Sequence, residues 1–390
     1  MKEKQKYIKP LPFHWYFIPV VVAAMAGLAD STYLVYSHYR VYTDIGYKSF
    51  CAISKALNCD TVSQSAYSIL WGVPVSVWGM IGYFFFLLLL FMAASKDACR
   101  QRLWPSLFMI ALFFSFYSVA LASISGYIIH SYCIMCIVSY VVNFTLLFYA
   151  WMIRRRFGAE GLIKGIKRDI AYLINKKELT LSVFIPFIAA VLVVFLFMPT
   201  YWELQPPPLS SDISTGVTRD GHPWIGGQAP ELEIIEFSDY QCFQCKKMHF
   251  VLRRLIAEHP DRIRLVHKHY PMDSKFNTVI VPAPFHEGSG KLAMVGIYAT
   301  IKGKFWEMND LLYEVVHNAD VLDIRWLAKQ TGIPAKELAI AIRDRKIKQL
   351  LRRDIREGMK LEITGTPSYV INGKVYEGII PPEILKKAME

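Results

Sequence analysis

A chain of 390 residues has room for two or more domains. With 54% hydrophobic and 19% charged residues it is too apolar for one soluble domain and too charged to lie wholly in a bilayer, so a mixed chain is expected. The net charge of +12 would suit nucleic acid, but the placement of Lys and Arg beside apolar segments gives it a topogenic role, and no nucleic-acid partner is expected.

About 20 mostly apolar residues in a helix cross a hydrocarbon core of about 30 Å. Five segments qualify: 15–36, 73–94, 105–129, 131–153 and 180–199. The last is free of charge throughout, whereas the first contains Asp30. The basic start and the Ala24–Ala26 stretch of the first segment would also suit a signal peptide. Its apolar run continues through Leu34–Tyr36, which favours a retained span.

Fifteen basic residues fall on one set of loops: Lys2, Lys4, Lys6 and Lys9, then Lys96, Arg100 and Arg102, then eight between 154 and 177. The opposite loop, 37–72, carries only Arg40, Lys48 and Lys55. The positive-inside rule therefore puts the amino terminus in the cytoplasm and the carboxyl terminus outside.

This topology sorts the seven cysteines. Cys51 and Cys59 fall in the first external loop, Cys133 and Cys136 at the external start of the fourth span, and Cys242 and Cys245 in the external domain. Cys99 alone faces the cytoplasm and reads as an ordinary free thiol. Three close pairs on an oxidising side permit disulfides. Residues 156–200 hold a basic, amphipathic stretch, read as a short helix on the inner membrane surface or a solvated linker, and then the fifth span. Residues 201–230, with Pro206–Pro208, read as an extended linker.

From Glu231 the composition is that of a soluble α/β domain. Residues 231–237 read as a buried strand and those after Cys245 as an amphipathic helix, with Met248, Leu252, Leu255 and Ile256 on one face. Cys242 then sits at a helix amino terminus, where the macrodipole favours a thiolate, with Cys245 one turn on as the resolving thiol. Half a zinc site or a structural disulfide is the other reading; zinc needs a second ligand pair, and none is evident, so no metal is expected.

Residues 363–373, Ile-Thr-Gly-Thr-Pro-Ser-Tyr-Val-Ile-Asn-Gly, resemble the thioredoxin superfamily, in which a cis-proline in this setting packs against the active-site cysteines; the matching residue is Pro367 after Thr366. A long helical stretch between Tyr270 and Leu361, with Gly303-Lys-Phe-Trp-Glu-Met-Asn-Asp-Leu-Leu-Tyr, resembles the DsbA-type branch over about 231–390. That branch often carries Pro-His between its cysteines. Phe243-Gln244 here departs from it and leaves strong oxidising power open.

The loop pair Cys51 and Cys59, Ser65, Trp71-Gly72, and Cys133-Ile-Met-Cys136 followed by Tyr140 resemble vitamin K epoxide reductase and its bacterial homologues, some of which carry a fused thioredoxin-like domain after a fifth span. The resemblance covers roughly 15–155. Small buried cysteines at 133 and 136, or a static Cys51–Cys59 disulfide, are the plainer readings.

What the resemblance implies is a membrane all-α four-helix bundle (1–155) plus a fifth transmembrane helix, followed by a soluble α/β thioredoxin-like domain with a helical insertion (231–390). It also implies a quinone, ubiquinone or menaquinone, beside Cys136, Ser65 and Tyr140. The expected activity is quinone-dependent thiol–disulfide exchange. Electrons pass from extracytoplasmic proteins with reduced cysteines through Cys242/Cys245, Cys51/Cys59 and Cys133/Cys136 to the membrane quinone pool. The expected setting is a bacterial inner membrane with the soluble domain in the periplasm. A disulfide isomerase or reductase, and a membrane-anchored chaperone-like module with structural disulfides, are the competing readings.

Overall fold

The computed structural model describes residues 11–54, 56–94, 102–157, 161–210, 212–314 and 323–389. Cys99 and the basic residues Lys2, Lys4, Lys6, Lys9, Lys55, Lys96 and Arg100 lie outside the described residues. The chain forms two compact units, Met1–Trp202 and Glu203–Glu390.

The first unit is helical. Its long elements are α1 (His14–Thr43), α3 (Val75–Ala93), α4 (Trp104–Ile124) and α5 (Ile134–Phe157), which pack together, and α7 (Lys177–Phe197). A short α2 (Cys59–Ser63) and a hairpin of β1 (Ile69–Leu70) and β2 (Val73–Pro74) lie between α1 and α3, and α6 (Leu162–Asn175) precedes α7. All five long helices are long and apolar enough to cross a membrane. Val20, Phe86, Leu90, Trp104, Leu107 and Leu146 fill the bundle core. Gly27 lets α1 approach α3, because a Cβ there would stand 2.4 Å from the Tyr83 ring.

The first helix is longer than the span read from the sequence. The polar, Tyr-rich end beyond Tyr36 stays helical because buried His38, Val41 and Tyr42 give it a packed face. His38 Nδ1 lies 2.8 Å from the Tyr201 hydroxyl, which holds the chain after α7 against α1. The α6 helix buries Gly165, Asp169 and Tyr172 and leaves Ile163, Ile170 and Ile174 exposed, so its apolar side stays open, as on a helix lying in a membrane surface. Buried Asp169 caps α4 from α6, accepting from the Leu103 and Ser106 amides (2.8 and 3.1 Å) and the Ser106 hydroxyl (2.7 Å). The α7 helix buries none of its residues, as a helix surrounded by lipid would.

The second unit holds a six-stranded mixed sheet of order β3-β4-β6-β5-β7-β8. Its strands are β3 (Thr215–Val217), β4 (Pro223–Gly226), β5 (Leu232–Ser238), β6 (Ile263–His269), β7 (Ser368–Ile371) and β8 (Lys374–Glu377). The α8 helix (Phe243–Glu258) makes the crossover between parallel β5 and β6. Between β6 and β7 come α9 (Ser289–Ile301), α10 (Phe305–Glu314), α11 (Ile324–Thr331), α12 (Ala335–Ala341) and α13 (Arg345–Lys360), and α14 (Pro382–Met389) follows β8. This is a thioredoxin-like α/β fold with a helical insertion. Asn372 and Gly373, both at positive φ, turn β7 into β8.

The reading of 201–230 as linker is corrected: residues 215–226 form a hairpin that pairs with β6. Its glycines are packing devices here. A Cβ on Gly226 (φ 114°) would stand 2.0 Å from the Ile263 carbonyl, and one on Gly216 would stand 2.6 Å from the Trp224 ring.

Candidate functional sites

In the soluble unit the chain leaves β5 at Ser238, turns through Asp239–Gln241, and enters α8 with Cys242 as its amino-terminal cap. The Cys242 sulfur accepts from the Cys245 amide (3.3 Å) and lies 3.4 Å from the Thr366 carbonyl, next to the cis Thr366–Pro367 bond. Cys242 is half-buried and Cys245 is fully buried; both are thiols.

The pair is electrically asymmetric. Desolvation raises the Cys242 thiol, but the hydrogen bond with Cys245 and the charge of His286 outweigh it, and the net shift is downward. Desolvation and the neighbouring Cys242 push Cys245 well up. A thiol held low is the more readily ionised of the two, and attack on a disulfide needs the thiolate.

His286 was not legible as part of this site, because it lies far along the chain in the loop before α9. Its charge favours the thiolate of Cys242. Buried Asp239 gathers the site around Cys242. It accepts from the Gln241 and Met272 amides (both 2.6 Å), Ser289 Oγ (3.0 Å) and His286 Nδ1 (3.1 Å). Beneath the pair, fully buried Glu236 accepts from His249 Nδ1 (2.6 Å) and His267 Nδ1 (2.7 Å) on one oxygen. Its ligand atoms and those of the two histidines lie within 4.8 Å of one another, but the contacts are direct hydrogen bonds. The signal for Glu236 was its parity: it falls in phase with inward-facing Leu232 and Ile234 of β5.

In the helical unit Cys51 and Cys59 are joined in a disulfide. They pack with Cys133 in one buried cluster, against which Leu34, Val62, Ile134, Met135 and Cys136 rest. The loop is clipped to the residue before Cys133: the Asn58 amide donates to the Tyr132 carbonyl (2.9 Å) and the Tyr132 amide to the Ala56 carbonyl (2.8 Å). Asn58 also caps α2, so Cys59 opens a helix. Cys133 precedes α5, and its sulfur accepts from the Cys136 amide (3.1 Å).

Tyr140, half-buried, is four residues from Cys136 and shares its face of α5. A π-helical turn (Ser125–Ile129) ends α4 beside this region, a feature that often marks functional sites. The Ser65 hydroxyl donates to the Val62 carbonyl (2.8 Å).

Residues 18–151 match the family model of the vitamin K epoxide reductase family, and residues 233–390 that of the DSBA-like thioredoxin domain. Among curated proteins, the Na(+)/H(+) antiporter NhaA 1 of Mycobacterium sp. (strain KMS) is 22% identical over 197 residues, 50% of this chain and 30% of its own length. The probable disulfide bond formation protein D of Bacillus anthracis is 22% identical over 180 residues, 43% of this chain and 76% of its own. The chain thus spans about 30% of the length of the antiporter relatives.

Among solved structures, BdbD from Bacillus subtilis (oxidised) is 20% identical, covering 46% of this chain and 97% of its own with a TM-score of 0.36. A thioredoxin-like oxidoreductase from Silicibacter pomeroyi DSS-3 is 21% identical, covering 44% and 96% with a TM-score of 0.36. With a family match on each unit, the chain is a fusion of a vitamin K epoxide reductase family membrane domain and a DsbA-like thioredoxin domain.

Proposed function

We propose that this chain is a quinone-dependent thiol–disulfide oxidoreductase that forms disulfide bonds in extracytoplasmic proteins. The observation that carries the reading is the packing of the Cys51–Cys59 disulfide onto Cys133, with Tyr132 clipped into the same loop. A disulfide in contact with a second cysteine pair at the mouth of a bundle is placed for exchange.

The order follows from thiol chemistry. A substrate thiolate attacks Cys242 of the Cys242–Cys245 disulfide, and the second substrate thiol resolves the mixed disulfide. The Cys242 thiolate then attacks the Cys51–Cys59 bond, and Cys245, whose thiol is a weak acid, resolves that intermediate. The loop dithiol next reduces Cys133–Cys136. Pro367, which has no backbone N–H to donate, leaves the strand edge beside Cys242 open to a client peptide.

The donor set at the membrane pair suits a quinone, whether ubiquinone or menaquinone. A thiol (Cys136) and a phenol (Tyr140) share one helix face, beside Ile137, Val138 and Val141, which are exposed and lipid-compatible. Cys136 and Tyr140 would hold the ring. Ser65 would join them only by leaving the Val62 carbonyl. A quinone drawn from the bilayer pool is a two-electron acceptor. The setting is a bacterial inner membrane, with the amino terminus cytoplasmic and the thioredoxin-like domain periplasmic.

The test is reoxidation of the soluble unit's cysteines in membranes. Cys51→Ser and Cys59→Ser should each leave Cys242 and Cys245 reduced after a client has been oxidised. Wild-type reoxidation in both variants would remove the loop from the pathway.

A further inference from the structure

Closing a dithiol into a disulfide releases two protons as well as two electrons, and a membrane bundle offers few groups to take them. The helical unit contains one that neither the cysteine chemistry nor the bundle packing uses. Asp30 lies in α1 with 5% exposure. An ionisable side chain within a membrane span is costly and is retained for function more often than for packing.

Two helix registers place it. On α1, Leu34 packs against the cysteine cluster, and Asp30 is four residues earlier on the same face. On α5, Ser139 is three residues beyond Cys136, and its hydroxyl donates to Asp30 Oδ2. Asp30 is therefore about one helical turn deeper than Cys136, reached through Ser139.

The polar groups below it are satisfied by one another. The Tyr83 hydroxyl donates to Asn143 Oδ1 (2.7 Å), and Asn143 Nδ2 donates to Ser118 Oγ (2.8 Å). Interhelical hydrogen bonding accounts for those residues. For Asp30 it accounts for Oδ2 alone, which accepts from Ser139; Oδ1 is buried without a hydrogen-bond partner, and no cation is paired to the carboxyl among the described residues.

Resting on the quinone-dependent reading above, we propose that Asp30 is the internal proton acceptor of the membrane pair. The Asp30 carboxylate takes the proton of the Cys136 S–H, relayed by Ser139. The resulting thiolate joins Cys133 in the disulfide as two electrons pass to the quinone. The Asp30 carboxylic acid then returns its proton to an oxygen of the reduced product. The Cys133 proton supplies the other, so two S–H bonds are exchanged for one S–S bond and two O–H bonds.

Two readouts on the full-length protein in detergent test this. The first needs no quinone: infrared difference spectra between the dithiol and disulfide states, set with thiol reductant and chemical oxidant. Wild type should show a carboxyl C=O band that changes with the redox state and is absent in Asp30→Asn. No Asp30-dependent band overturns the proposal, and this holds even if the protein fails to reduce quinone, which would instead sink the relay reading.

The second readout is thiol-driven quinone reduction. Asp30→Asn should lower kcat roughly 100-fold with little change in quinone KM, whereas Asp30→Glu keeps the proton chemistry and most of the rate. Ser139→Ala, which leaves the carboxylate in place, should give an intermediate loss and guards against misfolding of the Asn variant. Full kcat in Asp30→Asn overturns the proposal.

Discussion

Glu236 offers a stability test worked directly from the structure. Burial alone would raise its carboxyl, but His249 and His267 outweigh burial and carry the value down from 4.5 to about 2. A difference of that size corresponds to roughly 3 kcal/mol of folding stability, on the order of the usual conversion of pKa shift to free energy. Because the folded value is depressed, the stabilisation is fully present above the unfolded value of 4.5 and disappears as the pH falls to about 2.

Glu236→Gln keeps the shape and removes the charge. Hydrogen exchange of the β5 and β6 amides in the full-length protein, corrected for intrinsic pH dependence, reads the opening free energy of this part of the sheet. The variant should be destabilised by roughly 3 kcal/mol at pH 7, and the two curves should converge as the pH approaches 2. Parallel curves across that window would refute the account of Glu236 as an ionised acceptor for two histidines.

Three further outcomes follow from the same reasoning. His286→Ala should move the pH at which Cys242 becomes alkylated upward, since it removes a charge that favours the thiolate. The sign carries to the redox state: with the folded value depressed, stabilisation of the dithiol is complete above the free-thiol value and fades as pH falls through the folded one. An unmoved alkylation profile would separate His286 from Cys242. Asp169→Ala strips two amides at the start of α4 of their acceptor and should cost about 2–4 kcal/mol, read as a lower melting temperature in detergent; an unchanged melting temperature would count against the cap. Gly27→Leu should separate α1 from α3 and destabilise the bundle by at least about 2 kcal/mol, since even a Cβ collides with Tyr83; wild-type thermal stability would contradict that close approach.

Legibility in the sequence tracked the range of the interaction. The long apolar runs, Cys242 at a strand-to-helix turn and Asn372-Gly373 at a hairpin are local signals, and each was readable. The hairpin at 215–226 was not. Its residues are short, Gly- and Pro-containing and polar, and only pairing with β6 makes them strands. The outer turn of α1 was hidden for the same reason, since its helicity depends on burial of His38 and Tyr42.

The site splits along the same line. The three cysteine pairs were visible by spacing, whereas His286, brought to Cys242 through Asp239, comes from more than forty residues away. Glu236 carried a readable signal, a carboxylate in phase with the core residues of a strand, that composition alone obscured. The Ser65 hydroxyl makes a local hydrogen bond to the Val62 carbonyl, a contact that residue spacing does not announce.

The central claim is a single electron path from client thiols to a quinone. The most direct test is quinone reduction by the purified full-length protein supplied with a reduced, unfolded dithiol substrate, comparing wild type with Cys136→Ala and Cys242→Ala. The account predicts that wild type reduces the quinone and that both variants fail. Full activity in Cys242→Ala would take the soluble unit off the path, and thiol-dependent reduction of neither ubiquinone nor menaquinone by wild type would contradict the claim itself.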